Sequence, residues 1–440
     1  MKKKITVIIL FVILLTLICS APVMGQSRTL QQTNDILIPF TSPGGNQTPQ
    51  IHIADNGNLV TVNYPYDPNF FVYDGNGSFL WNATLSAEQS PWISSVSVAP
   101  DGQYLVVTQL VPACCHGSVT NTSSNKVILF DRSGARSWEY PTYSPPLTST
   151  VSYDNQDIFI GMNDGRIINL DREGTTCWTA QVDAPVLSLT TPADSSTIVA
   201  TGESNYYSNK IYGEPLNPHD LFVLDKNGTL LWNYQTRGTN TAAISDDGSV
   251  TAVLNERNGN LLLFNRTGGR QIERSFAGTP SAIAMSGDAN LVVVRTLEGF
   301  VYGVDRNGSI VWNASLESGS QGIAITDTGN SLVLGDGKAI ARFNITGNRL
   351  DEYPVDSEVR SIDVSPDRKS IIIGTEQNLI VIPAMEPVPR TESTALTPIQ
   401  TVHASGQVLQ TPKESSVFPI IPVFAAGCVI VIMLNRKGKF

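Results

Sequence analysis

Apolar and polar positions along the chain fall into two short phrases that keep returning. The first is an apolar run, a small polar turn and a second apolar run. It occurs as HIADNGNLVTV, VSVAPDGQYLVV, VSYDNQDIFIG, LSLTTPADSSTIVA, AAISDDGSVTAVL, IAMSGDANLVVV, IAITDTGNSLVLG and IDVSPDRKSIIIG. The second is an apolar run closed by Asp-x-x-Gly-x-x-x-Trp. It stands at Asp74/Gly77/Trp81, Asp131/Gly134/Trp138, Asp171/Gly174/Trp178, Asp225/Gly228/Trp232 and Asp305/Gly308/Trp312. Two altered copies read Asn265/Gly268/Ile272 and Asn344/Gly347/Asp351. Most steps between copies are 39 or 40 residues, with two of 54 and 57. A period near 40 is the mark of a repeat architecture.

Each phrase reads as a β-hairpin. Runs such as Leu221–Leu224 suit strands. The Asp or Asn bonds the backbone ahead of it, and the Gly supplies a positive φ in the turn. The following strand is expected to alternate, with Leu230, Trp232 and Tyr234 on one face and the indole wedged against the next copy. A unit therefore has four strands, a to d. There are eight copies of the first phrase and seven of the second, so the last unit lacks strand d. Asp35–Thr41, ahead of the first unit, supplies a candidate, and a ring closed this way leaves no open sheet edge between first and last units. The expected fold is all-β: an eight-bladed β-propeller of four-stranded antiparallel blades, closed by an N-terminal strand. Seven blades is the competing count, and a β-sandwich does not keep such a beat.

These phrases resemble the tryptophan-docking repeats of the pyrroloquinoline-quinone-like β-propellers, with some likeness to WD-type surface propellers. The resemblance covers residues 35–384. It implies a propeller but no single activity, because relatives of this kind include dehydrogenases, assembly scaffolds and surface proteins.

The ends set the expected compartment. Lys2–Lys4 precede an apolar run from Ile5 to Cys19, with Ala21 and Gly25 near plausible cut sites, so 1–25 reads as a secretory signal. Residues 26–384 form the ectodomain, and 385–416, rich in Pro, Ser and Thr, a flexible stalk. Val417–Leu434 is uncharged and just long enough to cross a bilayer as a single helix, and the basic tail 435–440 points to a cytoplasmic end. The tail also resembles sorting signals of some archaeal surface proteins, which leaves open whether the span is retained. The expected protein is exported, held in the cell membrane with its propeller outside.

Net charge is −10 over 440 residues. Setting aside Lys2–Lys4, Arg436, Lys437 and Lys439 leaves 23 basic against 39 acidic residues. That balance argues against nucleic acid as a partner. Nine Asn-x-Ser/Thr sequons mark glycosylation candidates: Asn46, Asn76, Asn82, Asn121, Asn227, Asn265, Asn307, Asn313 and Asn344.

In a four-stranded blade the a–b and c–d turns share one rim, and the b–c and d–a connections share the other. The long connections fall on the second rim: Tyr64–Pro68, Leu110–Asn125, Tyr140–Leu147 and Thr201–His219. They carry the binding candidates Tyr64, Tyr66, Tyr143, Tyr206, Tyr207, Tyr212, His116 and His219, suited to a protein or carbohydrate partner at the cell surface. Cys114, Cys115 and Cys177 are disulfide candidates, a bridge between neighbours being too short for ordinary geometry. PACCHG faintly resembles the adjacent cysteines of quinone-dependent dehydrogenases. No nucleophile elbow, phosphate loop, dinucleotide fingerprint or zinc spacing occurs. The reading favours a non-enzymatic binding or scaffold module without a cofactor or metal. The alternative is a membrane-tethered dehydrogenase using pyrroloquinoline quinone with calcium.

Overall fold

The computed structural model describes residues 26–27, 36–39 and 49–383, except 55–56, 65–66, 86–90, 112–124, 203–218, 237, 239, 256–257, 318–321, 326–330, 356, 366–369 and 376–377. The signal, stalk and apolar C-terminal segments read from the sequence lie outside these residues. Among the described residues no helix is long and apolar enough to cross a membrane. The chain divides into two units, 1–388 and 389–440, and every described residue belongs to the first.

Eight antiparallel four-stranded sheets follow one another along the chain. Blade 1 spans Gln50 to Thr84, blade 2 Trp92 to Pro141, blade 3 Pro146 to Gln181 and blade 4 Val186 to Tyr234. Blade 5 spans Asn240 to Ser275, blade 6 Pro280 to Ser315 and blade 7 Ile323 to Pro354. Blade 8 has strands a to c from Val359 to Pro383, and its fourth strand is Ile36–Pro39, antiparallel to Asn378–Pro383 with Ile36 opposite Val381. The expected eight-bladed count and the closing strand therefore both hold. One feature had no sequence signal: Gln26–Ser27 adds a fifth, parallel strand to the outer edge of blade 7.

Strands b are buried along nearly their whole length, as in Leu59–Asn63, Ile158–Met162 and Leu291–Thr296, and strands c mainly through their central residues. Alternate side chains of such a strand point to opposite sheet faces, and in a ring each face meets a neighbouring blade. Leu59 thus packs with Val96, Leu105 and Val107 of blade 2. Its neighbours Val60 and Val62 pack with Ile372, Leu379 and Val381 of blade 8. Among the described residues there are eight such clusters, one between each adjacent pair of blades. The cluster between blades 8 and 1 closes the ring.

The c–d turns repeat atom by atom. Asp171 Oδ1 accepts from the amides of Glu173 (3.0 Å) and Thr175 (2.7 Å), while the Gly174 amide donates to the Asp171 carbonyl. Asp74, Asp131, Asp225, Asn265, Asp305 and Asn344 do the same. Each of the seven strand pairs c–d then shifts register beside the first residues of strand d. This bulge corrects the expected alternation. Leu231 becomes the extra residue, so Leu230 and Leu231 are both exposed, and only Trp232 and Tyr234 turn inward onto Phe264. An inserted residue re-aims the side chains that follow it.

The bulge delivers each indole to the next blade. Trp81 Nε1 donates to the Arg132 carbonyl at 2.9 Å, Trp138 to Arg172 at 2.8 Å and Trp178 to Lys226 at 3.0 Å. Trp232 donates to Arg266 at 3.0 Å and Trp312 to Ile345 at 2.8 Å. Each acceptor lies in the next c–d turn, and the ring lies on that turn's glycine. A Cβ on Gly228, whose φ is +84°, would stand 2.6 Å from the Trp178 ring. The repeat glycine thus serves both the turn and the docking face. Where the indole is missing, Ile272 packs on Gly308, and Asp351 pairs with Arg342 inside blade 7.

Candidate functional site

The two rims differ in construction. On the a–b/c–d rim, arginines next to the capping Asp or Asn tie neighbouring turns together. Arg132 donates to the carbonyls of Asn58 (2.7 Å) and Gly102 (3.1 Å). Arg266 reaches the Asp247 carbonyl and Ser196 Oγ, both at 3.1 Å. The Arg172 guanidinium lies 4.9 Å over the Tyr104 ring. This rim is locked to itself.

The other rim is where the long connections leave the blades. Tyr143 stands there between blades 2 and 3 and is 82% exposed. His219 Nδ1 lies 3.0 Å from Asp183 Oδ2, linking the approach to strand c of blade 4 with the exit of blade 3. Its ring meets Phe222 edge-on. Tyr64 does not belong to this surface. It is 1% exposed and packs with Val62, Tyr73 and Leu379 in the core joining blades 8 and 1. The connections are also shorter than the sequence suggests. Tyr140 and Leu147 are strand residues, which leaves 142–145 between blades 2 and 3. Strand b of blade 4 runs to Gly202, with Thr201 buried. Tyr66, His116, Tyr206, Tyr207 and Tyr212 lie outside the described residues.

Cys114 and Cys115 also lie outside the described residues. Cys177 is exposed on strand d of blade 3, beside the locked rim, and partial desolvation of its sulfur, with the Asp171 and Asp157 carboxylates nearby, raises its thiol pKa. Of the sequons, Asn76, Asn82, Asn227, Asn307 and Asn313 are exposed. Asn265 and Asn344 are half-buried, with their amide oxygens occupied in turn capping. Asn46 and Asn121 are outside the described set.

The eight a strands line a central channel. The a–b register places one residue of each blade in a common layer: His52, Ser97, Thr150, Thr190, Ala243, Ala284, Ala324 and Asp363. The five polar members belong to consecutive blades, from 8 through 4, and all line one cavity of about 490 Å³. Burial pushes the His52 imidazole down to about 4 and the Asp363 carboxyl up to about 7, the latter partly opposed by the Val364 amide donating to Asp363 Oδ1 at 2.8 Å. Both residues stay partly open to the channel. Blades 2 and 3 are bonded through hydroxyls here: Ser97 Oγ donates to the Ser149 carbonyl at 2.8 Å and Ser94 Oγ to the Pro146 carbonyl at 2.7 Å.

A quinone with calcium would need a flat aromatic platform and clustered carboxylates. The five repeat indoles are all used between blades, on the outer strands. No Trp or Glu lines the channel cavity, and among the described residues no group of three or more His, Cys, Asp or Glu is placed to hold a metal ion. The described residues do not fit that cofactor.

This architecture defines a tryptophan-docked, PQQ-like β-propeller. The chain belongs to the family described as outer membrane protein assembly factor BamB, whose model matches residues 123–286 and 247–409. No curated protein sequence matches it. Among solved structures, BamB from Moraxella catarrhalis is 18% identical with a TM-score of 0.52. The C-terminal WD40 domain of Sif2 is 10% identical with 0.56, and the computationally designed Ika8 protein 16% identical with 0.57. Each covers 79% of this chain and 99% of its own. At such identities the likeness is one of fold.

Proposed function

We propose that this chain is a non-enzymatic scaffold that binds a protein at the outside of the cell through its b–c/d–a rim. The difference between the rims carries the reading. One rim spends its turns, arginines and indoles on holding the ring together. The other is where the longest connections of the sequence leave the blades, and it presents Tyr143 with its ring in solvent. A rigid scaffold displaying variable loops is a common arrangement for recognition. The matching family is described as an assembly factor, and propellers of this kind commonly serve as protein-binding scaffolds. The sequence supports an envelope location: a signal over 1–25, a stalk over 385–416 and an apolar anchor at Val417–Leu434.

The test is capture from envelope material by the full-length chain and by a variant in which a short turn replaces 203–218. This excision spares the buried strand b residues Thr201 and Gly202. The variant should lose capture and melt within a few degrees of the parent. Unchanged capture by a folded variant refutes the role of that connection.

A further inference from the structure

The channel offers a site that the rim reading does not use. We propose that the cavity bounded by blades 8, 1, 2, 3 and 4 binds a small neutral saccharide. The layer residues carry the argument. Eight positions are equivalent by register, yet five consecutive blades place His52, Ser97, Thr150, Thr190 and Asp363 there, and the other three blades place alanine. Docking accounts for Ser97, whose hydroxyl bonds blade 3, but not for His52, Thr150, Thr190 or Asp363, because inter-blade cores already surround the whole ring. It makes one side of the channel rich in hydrogen-bonding groups. Among the described residues the His52 imidazole has no hydrogen-bond partner, and the Asp363 carboxyl receives only the amide of its own neighbour. Both groups line the cavity.

The chemistry of the wall selects against charge. Burial keeps the His52 imidazole neutral and favours the protonated Asp363 carboxyl below about 7. Arg360, which lines the adjoining part of the channel, already pairs with Glu358 at 3.0 Å. An anionic ligand would lose its hydration and find no free counter-charge. A sugar hydroxyl, both donor and acceptor, matches a neutral imidazole, a carboxyl group and threonine hydroxyls. Val98 and Val364, half-buried on the same wall, give the C–H face of a pyranose an apolar contact. A volume of about 490 Å³ lies in the range of small-molecule sites, roughly 300–1,000 Å³.

The experiment titrates the full-length chain with glucose, galactose, mannose, N-acetylglucosamine, maltose and cellobiose, with glucuronate as the charged counterpart. Heat of binding and the ring resonances of His52 are read together. There are four histidines in the chain, and the His52→Gln variant assigns the signal. At least one neutral sugar should bind at or below about 10 mM, shift His52 and leave His219 in place. Glucuronate should bind at least about tenfold more weakly. Thr190→Val, which removes a hydroxyl at nearly constant shape, should weaken binding about tenfold, one hydrogen bond's worth. Binding that either variant weakens supports the site. No binding by any of the six sugars, glucuronate binding as tightly, or affinity unchanged in both variants overturns it. Partner capture by the rim is read separately, so the two readings fail independently.

Discussion

Replacing Asp363 by Asn and His52 by Gln should change stability in opposite pH ranges. Asp363 holds its proton to about pH 7, against an ordinary value of 3.8. Between those values the folded state is the more protonated, so this group's contribution falls as pH rises. His52 is neutral in the fold down to about pH 4, against 6.5. Between those values the unfolded chain takes up the proton, so its contribution falls as pH drops. The two effects oppose one another from pH 4 to 6.5. At about 1.4 kcal/mol per unit the full shifts would reach roughly 4 kcal/mol for Asp363 and roughly 3 kcal/mol for His52. Both side chains open to the channel, and screening there reduces each to about 1–2 kcal/mol. The assay is the melting temperature of each variant minus that of the parent, from pH 4 to 8, which cancels every other titrating group. Asp363→Asn should gain relative stability as pH rises to 7. His52→Gln should gain it as pH falls from 6.5 to 4. Differences that do not vary with pH refute the desolvation argument. A His52→Gln difference that instead shrinks as pH falls from 6.5 to 4 would show the two residues to be a charged pair.

Three other perturbations follow from the ring. Trp178→Phe keeps most of the packing and loses the bond to the Lys226 carbonyl, for about 1 kcal/mol by denaturant melting. Gly228→Ala costs more, about 2–4 kcal/mol, because it adds left-handed strain to a Cβ placed 2.6 Å from that indole. Ile38→Pro, opposite Leu379 in the closing strand, should cost about 1 kcal/mol, one ladder hydrogen bond, and expose residues 378–383 to limited proteolysis, whereas a chain that melts and resists cleavage like the parent would show that this strand does not close the ring.

The repeat was readable because its parts are local chemistry. A capping Asp, a positive-φ Gly and an indole at fixed spacing define a turn without knowledge of the rest of the chain. The closing strand was readable from a deficit, eight first phrases against seven second ones. The bulge was not, since Leu230 and Leu231 have the same composition whether one or both face solvent. Tyr64 misled for a similar reason: it follows strand b of blade 1 and continues its burial, while its Pro-rich neighbours suggest a loop. The channel layer is visible only when the a strands are aligned by their pairing with strand b. In sequence, His52 and Asp363 are single polar residues within apolar runs. The shortness of the connection at 142–145 was hidden because Tyr140 and Leu147 suit a loop as well as a strand.

The account rests on one rim being free to bind while the other is committed to the ring. The direct measurement places a photo-crosslinking amino acid at Tyr143 or at Phe79, which are 82% and 55% exposed on opposite rims, in the full-length chain in its own envelope. A discrete protein adduct from position 143 and none from position 79 is the expected result. Adducts from position 79 alone, or equal adducts from both, would contradict it.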